Sequence, residues 1–164
     1  MPFYRYLVAL FGVLLLTACG GEPPIGPDES LLYGTWAQDG ITQADPSVTV
    51  SDGVITYAPN GVSSFTGVMT FYQPGQDPIR FDIAADVNWV LEETIITRTL
   101  KEVTITPQIP SEGVDAIAEA FEEAYRASPP GRLIVQYVNP TELIVLDADA
   151  GIMLRYLKQP PDYG

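Results

Sequence analysis

Arg80-Phe81-Asp82-Ile83-Ala84-Ala85-Asp86-Val87-Asn88-Trp89-Val90-Leu91-Glu92 decides the fold class of this chain. Phe81, Ile83, Ala85, Val87, Trp89 and Leu91 fall on one face of an extended segment, and Arg80, Asp82, Asp86, Asn88 and Glu92 fall on the other. Side chains alternate across a strand with period two, so this segment has one dry face and one wet face. Beyond the Glu92-Glu93 junction, Thr94 to Thr106 carries β-branched Ile95, Thr97, Thr99, Val103 and Ile105, which predicts an antiparallel hairpin. Its alternation is less regular than its neighbour's, which points to a bulge.

The same signals recur on both sides. Upstream, Leu32 to Gln38, Val48 to Ser51, Val54 to Ala58 and Val62 to Tyr72 read as strands, with Asp52-Gly53 and Pro59-Asn60-Gly61 as turns that supply glycine where a positive φ is wanted. Downstream, Arg132 to Val138, Glu142 to Asp147 and Ile152 to Lys158 read as strands joined by Asn139-Pro140-Thr141 and Ala148-Asp149-Ala150-Gly151. One helix interrupts them. Ser111 is its expected N-cap, and Val114, Ile117, Ala118, Phe121, Ala124 and Tyr125 repeat at helical spacing opposite Glu119, Glu122, Glu123 and Arg126, before Ser128-Pro129-Pro130-Gly131 stops it. The expected fold is mainly β: an up-and-down antiparallel barrel of about 8–9 strands with one amphipathic helix, whose closure would remove the exposed edges of an open sheet.

Before the first strand the composition changes. Arg5 is the only charge before Glu22, and Tyr6 to Leu16 is an apolar run, the length of a signal-peptide core and short of the ~20 residues that span a bilayer. The Leu16-Thr17-Ala18-Cys19 box that follows resembles a bacterial lipoprotein signal. The resemblance implies cleavage before Cys19, acylation of its thiol (diacylglyceryl and N-acyl groups, palmitate among them) and, from Gly20 rather than Asp after the cysteine, the outer membrane facing the periplasm. The residues alone also fit a secretory signal cleaved after Ala18, or a buried N-terminal element. Cys19 is the only cysteine, so no internal disulfide can form, and acylation would account for a lone thiol in an exported chain. The expected layout is a signal peptide over 1–18, lipidated Cys19 with a Gly/Pro-rich tether over 19–30, the barrel over 31–158 and a tail over 159–164.

Charge narrows the partners. Seven basic and 21 acidic side chains follow Cys19, leaving a side-chain sum of −14 with no basic stripe, which argues against nucleic acid and against anionic lipid surfaces.

Leu32-Tyr33-Gly34-Thr35-Trp36 looks like the Gly-x-Trp signature of lipocalin-like (calycin-type) barrels, and Leu143 to Asp147 with Leu154-Arg155-Tyr156 is similar to the final hairpin of such domains. The resemblance implies a barrel base made of Gly34, Trp36 and Arg155, with Arg155 packed across the Trp36 ring. It also implies an interior that holds a small apolar or amphipathic ligand, for which Phe81, Ile83, Val87 and Trp89 are the interior candidates. The helix before the last three strands departs from the lipocalin order, in which the main helix follows the barrel.

A search for reaction chemistry finds little. With no histidine there is no Ser-His-Asp or Cys-His nucleophile and no zinc site of the common kinds. Asp82 and Asp86 lie about 13 Å apart on a strand, beyond the ~5–9.5 Å of paired glycosidase carboxylates, and adjacent Glu92 and Glu93 point to opposite faces. Asp147-Ala148-Asp149-Ala150-Gly151 has the spacing that opens a calcium loop but lacks its later oxygen ligands, so it reads as a turn. The expectations are no catalytic residue, no metal and no cofactor. Two functions remain: a membrane-anchored ligand-binding barrel of the cell envelope, or a non-enzymatic envelope interaction protein with a filled barrel and an acidic docking surface.

Overall fold

The computed structural model describes residues 26–45 and 47–160. The signal box Leu16, Thr17, Ala18 and Cys19, the first part of the tether and residues 161–164 lie outside the described residues. After a 3-10 turn at Glu29–Leu31 come nine strands and one helix: β1 (Gly34–Gln38), β2 (Thr42–Asp45), β3 (Val48–Tyr57), β4 (Val62–Phe71), β5 (Ile79–Glu92), β6 (Ile95–Pro107), α1 (Glu112–Ala127), β7 (Gly131–Val138), β8 (Glu142–Asp147) and β9 (Ile152–Lys158).

From β3 to β9 each strand pairs antiparallel with its successor, the up-and-down order expected. β1 closes the sheet: Trp36 stands opposite Ile55 of β3 on one side and Lys158 of β9 on the other. Eight strands thus form a closed barrel, and β2 is a ninth, pairing with the first half of β3 while β1 takes the second. This closed eight-stranded antiparallel barrel is compatible with a calycin-like fold.

Asp52-Gly53 does not separate two strands. It is a bulge inside β3, where Ser51 opposes Val68 and Val54 opposes Thr66, and Asp52 takes a φ of 53°. A local left-handed residue serves a bulge as well as a turn. The irregularity of β6 is also a bulge: Glu102 faces Asp86 and Leu100 faces Val87, leaving Lys101 unmatched. Across it the inward set changes parity from Ile96 and Leu100 to Val103 and Ile105.

β5 and β6 run further than their neighbours. β7 pairs with β6 only over Ile95 to Arg98, and α1 packs on the remainder of β6. The inner face is therefore divided between two apolar clusters. One, inside the barrel, contains Leu32, Trp36, Tyr57, Trp89, Leu133 and Val145; the other, beneath α1, contains Met69, Phe81, Ile83, Val103, Ile105 and Ala118. Phe65 packs against both.

Val114, Ile117, Ala118 and Phe121 form the helix face turned to the sheet, and the rings of Phe71 and Phe81 meet Phe121 edge-on at 5.4 and 6.0 Å. Ser111 precedes the helix in extended conformation but makes no side-chain cap. At the other end Ser128 Oγ donates to the Ala124 carbonyl at 2.8 Å before Pro129 and Pro130 prevent continuation. Ala124 and Tyr125, expected inward, are exposed.

Candidate functional site

The barrel base is built on Trp36. Its ring is fully buried and its Nε1 donates to the Leu32 carbonyl at 2.7 Å, so the indole's one polar group is satisfied inside the core. The cation over the ring is Lys158, with Nζ 4.1 Å from the ring centroid, and not Arg155. Leu154 and Tyr156 face inward on β9, so alternation turns Arg155 out and Lys158 in. Arg155 lies on the outer wall, where its guanidinium binds Asp39 and Glu142. The expected Arg155–Trp36 contact is thereby replaced by Lys158–Trp36.

Gly34 makes this base possible. Its φ is 106°, and a Cβ there would lie 3.0 Å from Lys158 Nζ, so a side chain would strain the backbone and crowd the ammonium group. Lys158 also donates to the Tyr33 carbonyl, and burial pushes its pKa down.

Of the expected interior residues, Trp89 does line the barrel. Tyr57 and Tyr33 meet its ring edge-on at 5.0 and 6.2 Å, and its Nε1 donates to the Val62 carbonyl at 3.2 Å. Val87 is half-buried, while Phe81 and Ile83 belong to the cluster beneath α1. The four candidates therefore share one face of β5 but serve two compartments.

Tyr57 is buried deeply enough that desolvation raises its phenol pKa beyond the usual range, so it is a neutral core residue. Among the described residues, two buried side-chain polar atoms have no hydrogen-bond partner, Ser63 Oγ and Arg98 Nε. Arg98 does approach Asp147, with Nη2 3.9 Å from Oδ2. Sequence reading had not singled out Lys158, Ser63 or Arg98; strand parity could have found the first, and the β6 bulge obscured the parity of the last.

A concavity of about 330 Å³ lies outside the barrel, open to solvent, where Thr66, Val68, Asp82, Ala84 and Thr104 line the outer face of β4, β5 and β6 beside Asp52. Asp82 accepts a hydrogen bond from Gln108 Nε2 at 2.9 Å. The Asp147 carboxylate is occupied within its own turn, accepting from the amides of Asp149 and Ala150 at 3.0 and 2.9 Å, with Gly151 at φ 69°. Among the described residues no group of three or more potential metal ligands is assembled, and no helix is long and apolar enough to cross a membrane.

α1 carries the remaining polar chemistry. Past Arg98, β6 has no strand beyond it among the described residues, and unpaired strand edges invite association. Glu122 and Arg126 cover that edge: Glu122 Oε1 accepts from the Ile105 amide at 2.8 Å, and Arg126 Nη2 donates to the Val103 carbonyl at 3.3 Å. The two side chains pair at 2.6 Å. The Ile105 amide, then Arg126, hold the Glu122 pKa below its ordinary value. The side of the helix turned away from its apolar face exposes Glu112, Asp115, Glu119 and Glu123.

No protein family matches the chain, and no curated protein is significantly similar to it.

Proposed function

We propose that this chain is a non-enzymatic, lipid-anchored protein of the bacterial envelope whose barrel is a packed scaffold, with the acidic outer side of α1 as its docking surface. The observation that carries this reading is the interior itself: Trp36, Tyr57, Leu133, Leu143 and Val145 are almost completely buried inside the closed sheet. An eight-stranded barrel is narrow enough to be filled by its own side chains, and these are bulky. Support for the anchor comes from the Leu16-Thr17-Ala18-Cys19 box and the Gly/Pro-rich tether that follows it. The exposed carboxylates Glu112, Asp115, Glu119 and Glu123 suit a cationic partner.

Native mass spectrometry of the acylated mature chain, extracted from its own envelope in mild detergent, tests the scaffold reading. The expected mass is that of the chain and its acyl groups. A retained small molecule would overturn the packed scaffold and favour the ligand-binding reading. Ser63 Oγ and Arg98 Nε, buried without partners, are the observation that favours this second reading, because a small amphipathic ligand could satisfy them. The anchor is tested separately by Cys19→Ser, which is expected to release the exported chain from the membrane fraction; retention there would rule the anchor out.

A further inference from the structure

The outer surface of the barrel is not uniform. Ile95, Ile134, Leu146 and Met153 stand directly opposite one another across β6, β7, β8 and β9, forming a registered apolar row on the outside of the sheet. Met153 is 57% exposed and Ile95 38%. Tyr137 on β7 and Leu157 on β9 are also exposed, Leu157 being separated from Met153 by the ion-paired Arg155. An aligned apolar patch of this kind is uncommon on a soluble surface and marks a contact face.

The same wall is electrically balanced. Residues 131–160 carry three acidic and three basic side chains, and with Lys158 and Asp147 on the inward parity the outer face keeps Arg132 and Arg155 beside Glu142 and Asp149, whereas residues 26–127 carry 16 acidic and four basic. On the wall, Arg155 binds Asp39 and Glu142, and Arg132 lies 3.7 Å from Asp149. It is the part of the molecule that a phosphate-bearing surface repels least.

The start of the described chain lies beside the same wall. Gly26 packs so closely on the β5–β6 turn that a Cβ there would fall 2.2 Å from the Glu93 carbonyl oxygen. Glu93 is two residues from Ile95, and Cys19 is seven residues upstream of Gly26, a span of at most about 25 Å when fully extended. An acyl anchor on Cys19 would hold the apolar row within reach of the lipid at a high local concentration, so weak side-chain insertion would suffice to orient the barrel.

From these three observations we infer that the β7–β9 wall lies against the lipid surface to which Cys19 is tethered, with Met153, Ile95 and Leu157 entering the headgroup region. This rests on the lipid-anchor reading above. The test uses the full acylated chain on phosphatidylcholine vesicles, with a nitroxide on Met153→Cys or, as the comparison site on the polar wall, Thr104→Cys; both positions are exposed, so the labels do not disturb the core. The expected result is that the Met153 label loses broadening by a water-soluble nickel complex and keeps broadening by oxygen, while the Thr104 label remains open to nickel. If the chain floats with vesicles but both labels are equally open to nickel, the anchor stands and the wall contact is overturned. If the chain does not float, the anchor reading falls and takes this inference with it. Shielding of the Met153 label that persists in vesicle-free Cys19→Ser protein would overturn it in favour of a second copy covering the wall.

Discussion

The two ends of β5 show two ways of finishing a β core. Around Trp89 the sheet closes on itself, and main-chain ladders from β1 to both β3 and β9 leave no free edge there. Around Phe81 and Ile83 the sheet stays open because β7 begins only at Gly131, opposite Arg98, and α1 supplies the missing layer. The first core is sealed by backbone hydrogen bonds and the second by a helix held through Phe121, Glu122 and Arg126. A closed ladder is lost only with the fold, whereas a docked helix can leave by itself, so the two regions differ in how local their opening can be.

Breaking the closed core should have the largest effect. Trp36→Ala is expected to destabilise the whole protein by about 3–5 kcal/mol, read as a lower urea midpoint with one cooperative transition. Phe121→Ala, which removes a half-buried ring from the helix side, is expected to cost about 1.5–3 kcal/mol and to speed hydrogen exchange in α1 and in the second half of β6 before β7–β9 respond. Uniform acceleration across all strands would show that the two cores open together, which contradicts the distinction drawn here. Lys158→Met removes the cation over Trp36 and should cost about 0.5–2 kcal/mol, by thermal or urea unfolding. Arg155→Met, on the exposed outer wall, should shift the unfolding midpoint less than Lys158→Met does, and a larger shift than at Lys158 would reverse the assignment of the base cation.

Acid offers a finer comparison. The folded pKa of Glu122 lies below its unfolded value, so its contribution is fully present above the ordinary glutamate range and is lost as pH falls through the folded pKa. Exchange at the Ile105 amide is therefore expected to lose protection on acidification while the amide of Trp89, bonded to the Gly61 carbonyl, retains it. Equal loss at both would show that the helix is not the acid-sensitive element.

What could be read from the sequence follows the same division. The barrel strands were legible because each alternates between a packed interior and water, as β5 does from Phe81 to Leu91. β2 was not, since Thr42-Gln43-Ala44-Asp45 offers no apolar alternation and is a strand only because β3 has a free edge to lend it. The Asp52-Gly53 and Lys101 irregularities were visible as local breaks, but whether a break is a turn or a bulge depends on the partner strand, which no local pattern contains. At the base, the resemblance pointed to Gly34 and Trp36, which do meet there, and to Arg155 in place of Lys158; strict parity from Leu154 and Tyr156 gives the correct residue. The division of Phe81 and Ile83 from Trp89 was hidden because all three share one face, and only the point where β7 begins, Gly131 opposite Arg98, separates them.

The β1–β9 seam also sets the order in which the chain can be completed. Every other barrel pairing except β1–β3 joins strands adjacent in the chain, but Lys158 reaches the Tyr33 carbonyl across 125 positions. Hairpins such as β5–β6 can form early and locally, whereas the ring must wait for its last strand and bear the entropy of its longest loop, making the seam the high-contact-order step of folding. A chain delivered N-terminus first would hold β1 without its second neighbour until the final strand arrives, and loss of β9 would expose the edges of β1 and β8 that it covers.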